Sequence, residues 1–373
     1  MNIVVVSTLG YTQEAFLLPY IECFKNDFGA EIYSIANWNY NWGKMFDYVK
    51  KINIPFSRNI LSPVNYLAIF KLIRIFKEYN FDLIYTHTPI ASMVVRLANK
   101  YSKQNFPILY EAHGFHFHQY QTRVNNFLFK NIEKFFSFYT DGIITINKDD
   151  FYMAKELFSK SDVFYVPGIG IDLSFFDYEK FDKYKIKSEL GFSSKDKIII
   201  TIADFIKRKN LEVLVDIGAS LKEKRKDWKW VIVGDGPLFN KINKQIQDRD
   251  MNDFFILAGY QSDVRRYIAA SDIFILLSIQ EGLPRSLLEA GAFKLPVVVT
   301  NIRGNRDVIA HGKNSYLVPP SDIFRAVEYL NSLLNDEKLR KDFGDKLYSK
   351  IKKSFSLDVA LRKHIEIFER FLR

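Results

Sequence analysis

A nine-residue stretch in the last third of the chain places two carboxylates on either side of a predicted helix start. It reads Glu-Gly-Leu-Pro-Arg-Ser-Leu-Leu-Glu, spans residues 281–289 and follows a short apolar run that ends at Leu277. Free N–H groups at a helix start bind anions, and a carboxylate accepts hydrogen bonds from neighbouring hydroxyls. We therefore predict that Glu289 holds two vicinal sugar hydroxyls and that Glu281 lies near another. The alternative is a capped helix with Glu289 on the surface.

The residues between these carboxylates suit a backbone that approaches an anion. Pro284 fits a first helical turn, where its missing N–H costs nothing, and Gly282 allows close approach of the backbone. The amides of Leu283, Arg285 and Ser286 are then predicted to face a ligand cleft. All of these residues are candidate contacts of an anionic ligand.

Elements of two kinds alternate along the chain and must position this stretch. Short β-branched runs alternate with amphipathic stretches of helical period, which predicts parallel sheets with crossover helices. Strands are predicted first at Ile3–Ser7, Glu31–Ile35, Leu83–Thr86, Ile108–Glu111, Gly142–Ile146 and Val163–Val166, and then at Lys197–Ile202, Trp230–Val233, Phe255–Ala258, Ile273–Leu277 and Pro296–Thr300. The sequence after about Ser321 is predicted to be helical, with an apolar stripe through Leu330, Leu333 and Leu334.

The restart of the strand rhythm midway predicts an α/β fold of two Rossmann-like domains that face each other across a cleft. The first domain is predicted to span residues 1–170 and the second residues 171–354. A final helix within residues 355–373 is predicted to pack back on the first domain. Ligands in such sheets bind beyond the carboxyl ends of the strands.

Further motifs make the second half similar to the retaining GT-B glycosyltransferases of family 4. Residues 281–289 resemble the Glu-x7-Glu motif of that family, whose second Glu binds the donor ribose and whose first Glu lies beside the transferred sugar. Other family-like segments follow the same order and spacing, namely Val233-Gly234-Asp235-Gly236-Pro237, Ser271-Asp272, residues 295–300, residues 303–307 and residues 312–319. The resemblance implies that the second domain binds a nucleotide diphosphate sugar and that the first faces the acceptor.

A basic segment resembles the part of the family that binds the donor phosphates. Lys209-Asn210 is similar to the Lys-Gly or Lys-Asn pair whose lysine contacts the diphosphate. Many family members have an arginine about five residues earlier, where this chain has Asp204, so Lys207 or Arg208 is predicted to substitute. A lysine and helix amides can neutralise a departing diphosphate without a metal, and the family generally needs none. The alternative is an exposed basic helix start.

Histidines follow the fourth predicted strand of the first half. His113-Gly114 resembles a His-Gly pair of the family, which implies that His113 contacts the transferred sugar or the attacking hydroxyl. His116 and His118 pack or meet acceptor on this interpretation. The His-x-His spacing also suggests a metal site, with His87 as the obvious further ligand. We predict no metal, and for His87 a structural and a functional role stay equally open.

Gly10 lies in the first strand-to-helix turn, where a glycine lets the backbone approach the donor phosphates or the acceptor. The surrounding segment, Ser7 to Thr12, lacks the three spaced glycines of the dinucleotide-binding fingerprint. A nicotinamide-dependent dehydrogenase is therefore disfavoured.

The net charge of +10 at pH 7 fits an anionic membrane surface, an anionic substrate or nucleic acid, and does not choose among them. Two stretches interleave basic and aromatic residues at helical spacing, Tyr66 to Tyr79 and Arg123 to Tyr139. They predict either a membrane-docking surface or two core helices with a narrow solvent-exposed face. No nucleic-acid recognition module is visible, and we predict no nucleic-acid partner.

Composition limits the compartment and the class of protein. An apolar share of 48% over 373 residues supports a globular chain with a sizeable core. The single cysteine, Cys23, cannot form an internal disulfide and indicates a buried thiol in a reducing compartment. The apolar start, without a basic leader, predicts a first strand rather than a secretory signal, and no apolar run is long enough to cross a membrane. We expect a cytoplasmic protein, peripheral at most on the inner membrane.

Together these observations predict an enzyme that moves a hexosyl residue from a nucleotide diphosphate sugar to a carbohydrate acceptor, lipid-linked on the membrane-docking interpretation. The family resemblance implies retention of anomeric configuration and a place in bacterial capsule, exopolysaccharide or lipopolysaccharide synthesis. Two alternatives stay open: a nucleotide-sugar epimerase of the same fold, and a non-catalytic partner of a polysaccharide assembly complex. The nucleotide, the sugar, the linkage and the acceptor are not predicted.

Overall fold

The computed structural model describes residues 1–39 and 45–372, which divide into two compact units. The first unit contains Met1–Ile169 and the segment from Asp358 onward, and the second contains Gly170–Leu357. The final helix, predicted to return to the first domain, does belong to the first unit. Each unit is built around one parallel sheet, as the alternation of strands and helices predicts.

The first unit has seven parallel strands. They are β1 (Asn2–Leu9), β2 (Glu31–Asn37), β3 (Val49–Asn53), β4 (Leu83–His87), β5 (Ile108–Ala112), β6 (Gly142–Thr145) and β7 (Asp162–Tyr165). Their order in the sheet is β3-β2-β1-β4-β5-β6-β7. The sequence analysis missed β3, because this edge strand exposes Lys50 and Lys51 where a buried strand would carry apolar residues.

Helices cover both faces of the first sheet. They are α1 (Gly10–Phe16), α2 (Leu18–Asn26), α3 (Pro63–Glu78), α4 (Pro89–Ser102), α5 (Arg123–Ser137), α6 (Lys148–Leu157) and the last helix, α15 (Leu357–Leu372). The α15 ring of Phe368 lies 4.4 Å from Phe24 of α2 and 5.1 Å from Tyr85 of β4. The same layer buries Cys23 as a free thiol, as predicted, and burial raises its pKa to about 12. The last helix is therefore part of the core of the first unit.

The second unit has six parallel strands. They are β8 (Lys197–Ile202), β9 (Trp228–Val233), β10 (Phe255–Gly259), β11 (Ile273–Leu276), β12 (Val297–Thr300) and β13 (Tyr316–Val318), in the order β10-β9-β8-β11-β12-β13. The three-residue β13 was not predicted, because its length gives no periodic signal. The fully buried runs of β8, β11 and β12 are typical of a parallel sheet covered on both faces.

Eight helices surround the second sheet in the described part of the chain. They are α7 (Lys183–Glu189), α8 (Glu212–Lys224), α9 (Phe239–Asp248), α10 (Arg265–Ala270), α11 (Arg285–Ala292), α12 (Asn305–Val308), α13 (Ile323–Asn335) and α14 (Glu337–Ser354). The predicted apolar stripe of α13 is confirmed, since Leu330, Leu333 and Leu334 are buried.

Each sheet reverses its strand order at one place. In the first unit β1 lies between β2 and β4, and in the second β8 lies between β9 and β11. At such a switch point the two following loops diverge to opposite faces and leave a crevice at the carboxyl edge, where ligands of α/β folds bind. The loops after β1 and β4, and those after β8 and β11, are therefore the places to look for function.

Candidate active site

The loop after β8 carries the predicted phosphate-binding cations. Lys207 to Lys209 form one 3₁₀ turn, and Asn210 follows in the left-handed region with φ 54°. Its side-chain amide donates to the carbonyl of Leu277, at 3.2 Å, just beyond β11. Asparagine tolerates this backbone conformation better than most residues, so the left-handed position explains why an Asn or a Gly follows the lysine.

Lys209 and Glu281 meet at the switch point of the second sheet. The Lys209 ammonium lies 2.5 Å from Glu281 Oε1, and the Arg208 guanidinium lies 3.2 Å from Glu281 Oε2. The side chains of Lys209 and Glu281 are buried, whereas that of Arg208 is 44% exposed. Of the two substitutes predicted for the missing arginine, Arg208 reaches this cluster and Lys207 is exposed to solvent. We call Arg208, Lys209 and Glu281 the cation–carboxylate cluster.

The turn after β9 supports the loop that carries the cluster. Gly234 has φ 143°, and a Cβ there would lie 2.0 Å from the carbonyl oxygen of Ala203. Gly236 has φ 149°, with the Phe205 carbonyl oxygen 2.9 Å from the position of its Cβ. Both glycines are needed for backbone-on-backbone contact, so the Gly-Asp-Gly turn packs directly against the start of the cationic loop.

Helix α11 begins one residue later than predicted. Pro284 is its N-cap residue, with φ −71° and ψ 121°, and not part of the first helical turn. Because a residue before the helix takes extended angles, the amides of Arg285 and Ser286 become the first of the helix. Both residues are partly exposed, as are Gly282 and Leu283. The predicted anion-binding amides thus lie at the surface of this loop.

Glu289 is buried inside α11 and not a surface residue. Its carboxylate forms an i,i+4 ion pair with the Arg285 side chain at 2.9 Å. Burial raises the pKa of Glu289, and the nearby Arg285 guanidinium opposes that shift. The structure therefore gives Arg285 a side-chain role that the sequence analysis, which considered only its amide, did not foresee.

Gly304 is a functional position that the motif alone did not single out. It has φ 75°, and a Cβ there would lie 2.0 Å from the carbonyl oxygen of Gly282. Its neighbour Arg303 donates from Nε to the Glu281 carbonyl at 3.2 Å. The loop after β12 thus holds the backbone between Glu281 and Gly282, which fixes the direction of the Glu281 side chain.

The switch point of the first unit lies between the end of β1, which Gly10 follows, and Thr88 after β4. A Cβ on Gly10 would lie 2.3 Å from the Trp38 ring, so close packing of that ring requires glycine. Thr88 has φ 65°, an unusual angle for a β-branched residue. Its hydroxyl accepts from the Thr8 amide at 3.1 Å. This strained junction lies at the carboxyl ends of β1 and β4, and strain of this kind clusters at functional sites.

His113 follows β5 and is partly exposed. Its Nε2 lies 3.0 Å from Nδ1 of His87, which is fully buried. Burial lowers the pKa of His87 to about 3 and also lowers the pKa of His113. Both rings are therefore neutral at pH 7 and share one hydrogen bond.

The two histidines that follow His113 have different surroundings. The exposed His116 ring lies 5.4 Å from that of Phe129, and His118 Nδ1 accepts from the Tyr120 amide at 3.3 Å. Both thus make the packing contacts that one of the two predictions describes.

One group of described residues has the composition of a metal site. His87, Glu111 and His113 each place a ligand atom within 4.8 Å of the others. Two histidines and a carboxylate are a ligand set that zinc accepts. In the structure these residues also make hydrogen bonds, because His87 contacts His113 and Glu111 accepts from Tyr85. Glu111 and Tyr85 were not among the predicted site residues.

Two family models match the chain. Residues 37–173 match the model described as Glycosyltransferase Family 4, and residues 182–350 match the one described as Glycosyl transferases group 1. The chain is 29% identical, over 92% of its length and 90% of the relative's, to EpsD of Bacillus subtilis (strain 168), which carries the name of a glycosyltransferase. It is 26% identical, over 83% of its length and 81% of the relative's, to the UDP-Gal:alpha-D-GlcNAc-diphosphoundecaprenol alpha-1,3-galactosyltransferase of Escherichia coli.

A solved structure shows the same fold over nearly the whole chain. Anabaena Alr3699/HepE in complex with UDP and glucose has a TM-score of 0.80 at 17% identity, and the match covers 99% of each chain. The two Rossmann-like sheets and the matched domains define a glycosyltransferase with the GT-B fold. Within that class, residues 37–173 match the family 4 model, in agreement with the motif resemblance.

In the part of the chain that the structure describes, no helix combines the length and the apolar character that a membrane span requires.

Proposed function

We propose that this glycosyltransferase moves a hexosyl residue from a nucleoside diphosphate sugar to a carbohydrate acceptor, with retention of configuration, in the synthesis of a bacterial surface polysaccharide. The observation that carries the proposal is the cation–carboxylate cluster, which lies at the switch point of the second sheet. Two cations there share a single carboxylate, so the cluster has a surplus of positive charge for an anionic ligand. A diphosphate has the charge that fits it.

The cluster supplies what the departure of a diphosphate requires. The bond between the sugar's anomeric carbon and the diphosphate breaks, and negative charge develops on the leaving oxygen. Lys209, Arg208 and the amides at the start of α11 neutralise that charge in place of a metal ion. The acceptor oxygen bonds to the anomeric carbon on the face that the diphosphate leaves, which retains the configuration. Positioning and charge then account for catalysis without a covalent enzyme intermediate.

The remaining candidate residues have binding roles in this proposal. Glu289 accepts hydrogen bonds from the ribose hydroxyls, and its ion pair with Arg285 opposes the rise in its pKa that burial causes. When the diphosphate replaces Glu281 as the ion-pair partner of the Lys209 ammonium, the Glu281 carboxylate contacts the transferred sugar. Gly10 lets backbone approach the donor or the acceptor, and His113 contacts the transferred sugar or the attacking hydroxyl.

The proposed acceptor is lipid-linked, and α5 supports this part of the proposal. This helix buries only Glu133, Phe136 and Ser137, so the alternative of a core helix is wrong for it. Apolar side chains are exposed along its outer face at helical spacing, namely Val124, Phe127, Leu128, Phe135 and Phe138. Three basic residues are exposed as well, namely Arg123, Lys130 and Lys134. An apolar face flanked by lysine and arginine binds anionic lipid surfaces.

Helix α3 differs from α5. It buries a core-facing stripe through Ala68, Leu72 and Phe76, and it also exposes Leu67 and Phe70. We call the outer face of α5 the apolar–basic surface. The Escherichia coli relative is named for a diphosphoundecaprenol-linked acceptor. By analogy we place this enzyme in the cytoplasm, peripherally on the inner membrane.

The first experiment is a thermal-shift panel of UDP-, GDP- and ADP-sugars. A ligand that binds only the native state raises the melting temperature, by an amount that grows with its concentration relative to Kd. The sugar nucleotide with the largest shift is then incubated with and without candidate acceptors, in EDTA. Transfer to an acceptor without added metal supports the proposal. An isomerised sugar formed from donor alone would show an epimerase instead, and no shift with any sugar nucleotide would point to a non-catalytic partner.

A further inference from the structure

Five polar side chains from distant segments meet on one covered face of the first sheet. Tyr85 and His87 lie two residues apart on β4, and Glu111 is the in-register neighbour of His87 on β5. Successive strand residues point to opposite faces, so these three share one face. His364 of α15 and His113 complete the group, and all except His113 are buried.

The hydrogen bonds of His364 join α15 to β5. Its Nδ1 lies 2.7 Å from the carbonyl oxygen of Ala360, and its Nε2 lies 3.1 Å from Glu111 Oε2. The ring is thus held between its own helix and the buried Glu111 carboxyl group. Burial alone would raise the pKa of Glu111, but the His364 ring overrides it, and that pKa lies well below its ordinary value.

The Glu111 carboxylate also faces the histidine pair. One of its oxygens lies within 4.8 Å of a ring nitrogen of both His87 and His113. Its Oε1 is buried and has no hydrogen-bond partner, and the same holds for His87 Nε2. A buried N–H without a partner costs more than a bare ring nitrogen. The favoured arrangement is thus His87 Nδ1–H donating to His113 Nε2, which leaves the proton of neutral His113 on Nδ1.

We propose that Glu111 and His364 are positioning residues, which hold His87 and through it fix the orientation and tautomer of His113. This inference rests on the proposed function, in which His113 contacts the transferred sugar or the attacking hydroxyl. In this arrangement His113 presents its Nδ1–H as a donor to the transferred sugar or the attacking hydroxyl, and His364 holds the Glu111 carboxyl group beside the histidine pair. The last helix, which follows the entire second unit in the chain, thereby contributes to the catalytic machinery of the first.

The chain offers a matched control on the opposite face of the same strand. Tyr110 adjoins Glu111 on β5, and its hydroxyl donates to Glu133 Oε1 at 3.3 Å. Glu133 is likewise buried and ion-paired, with Arg96 at 3.7 Å. Glu133→Gln therefore makes the same chemical change in the same unit, without contact to the histidine pair.

The first measurement reads His113 directly and needs no substrate. The chain has six histidines, so ¹⁵N-histidine labelling gives a small set of ring signals, assigned with His87→Leu and His113→Asn. In the wild type and in Glu133→Gln, the expected result is the signal of a hydrogen-bonded N–H between His87 and His113. In Glu111→Gln this signal is expected to be lost. A spectrum of His113 unchanged by Glu111→Gln would overturn the proposal.

The second measurement separates binding from turnover with the sugar nucleotide chosen by the thermal-shift panel. Glu111→Gln is expected to lower kcat about 10-fold or more with KM for the donor within about twofold, which is the signature of an interaction used in the transition state. Glu133→Gln is expected to keep kcat within about twofold of the wild-type value. Each variant is assayed at the same interval below its own melting temperature. Equal losses in the two variants would reduce Glu111 to a structural role.

His364 variants keep the proposal testable if Glu111→Gln does not fold. A glutamine at position 364 can still donate a hydrogen bond to Glu111 but has a different shape from the imidazole ring, and a leucine forms no hydrogen bond at all. The expected order of kcat is wild type, then His364→Gln, then His364→Leu. Equal rates in all three would overturn the proposal. If the wild type transfers no sugar at all, the proposed function fails, while the histidine spectra still decide whether Glu111 positions His113.

Discussion

The two units share one architecture but differ in where their polar residues lie. In the second, the cations and carboxylates follow strands directly and lie in loops at the carboxyl edge, as Lys209 and Glu281 do. In the first, most of the polar group is inside the core, where Glu111 pairs with His364 from 253 residues away in the chain. On the proposed function, the second unit exchanges its ion pairs with a charged ligand. The proposed role of the buried group in the first unit is to position one histidine.

The surfaces of the units differ as well. Most of the exposed large apolar side chains belong to the first unit, with Val124, Phe127 and Leu128 on α5 among them. Exposed apolar residues are fewer in the second unit, where Phe324 and Tyr184 are examples. Contiguous apolar patches on a surface mark interaction sites. On the proposed function, charge chemistry belongs to one unit and surface attachment to the other, and this contrast can be tested from both sides.

The largest expected effect is on the cation–carboxylate cluster. Lys209→Ala and Glu281→Ala are each expected to lower turnover about 100-fold or more, since one lost electrostatic contact to a developing charge costs this much. Circular dichroism should show both variants folded. Lys207→Ala, which removes an exposed cation from the same turn, is the control and should stay near the wild-type rate. Near-normal rates in both cluster variants, with the true donor, would contradict the site.

The next effect concerns His113. His113→Ala is expected to lower turnover about 10-fold or more, because it removes the predicted contact to the sugar or to the attacking hydroxyl. His116→Ala is the control, since that ring is exposed three residues away. An unaffected rate in His113→Ala would show that this histidine has only a structural role. The proposed difference between the two units would then be wrong.

A smaller effect, on stability, tests the loops of the second unit. Gly234→Ala is expected to cost more than about 2 kcal/mol, because its Cβ would lie 2.0 Å from a backbone oxygen at φ 143°. That corresponds to a melting temperature lower by roughly 5 °C or more. In Gly191→Ala, φ is 79° and nothing lies within 4 Å of the new Cβ, so only the backbone strain of about 1 kcal/mol remains. Equal shifts, measured by calorimetry, would count against the packed turn.

The smallest effect concerns the apolar–basic surface. Phe127→Ser removes a side chain that is 74% exposed, and it is expected to weaken flotation with phosphatidylglycerol vesicles about fivefold. Added salt should weaken binding of the wild type further, because lysine contacts to anionic lipid are screened. Phe324→Ser, at 69% exposure in the second unit, is the matched control. Equal binding of vesicles by both variants would contradict the proposal that the apolar–basic surface binds the membrane.

The sequence predicted the second unit better than the first for a physical reason. Residues 281–289 form a local motif, so one strand, one loop and one helix determine most of what they do. Even there, the ion pair between Arg285 and the buried Glu289 was missed, because spacing alone does not say which side of a helix is covered. The need for glycine at position 304 was missed too, since only the fold brings that residue against Gly282.

In the first unit the missing information was long-range. Tyr85, Glu111 and His364 are unremarkable in their own segments, and only the packing of α15 on the sheet makes them neighbours. The sequence showed His113 and His87 but not what orients them. Similarly, the edge strand β3 carried no apolar run, so no local pattern could reveal it.

The place of α15 in the chain has a consequence for biosynthesis. Residues 170–357 are contiguous, so the second unit can fold as soon as they leave the ribosome. The first sheet, although made earlier, lacks the layer that buries Tyr85 until residues 357–372 emerge. The nascent amino-terminal half therefore keeps apolar surface uncovered until a helix that follows the whole second unit has been translated. A chain cut short before Leu357 would leave this half open to proteases and chaperones.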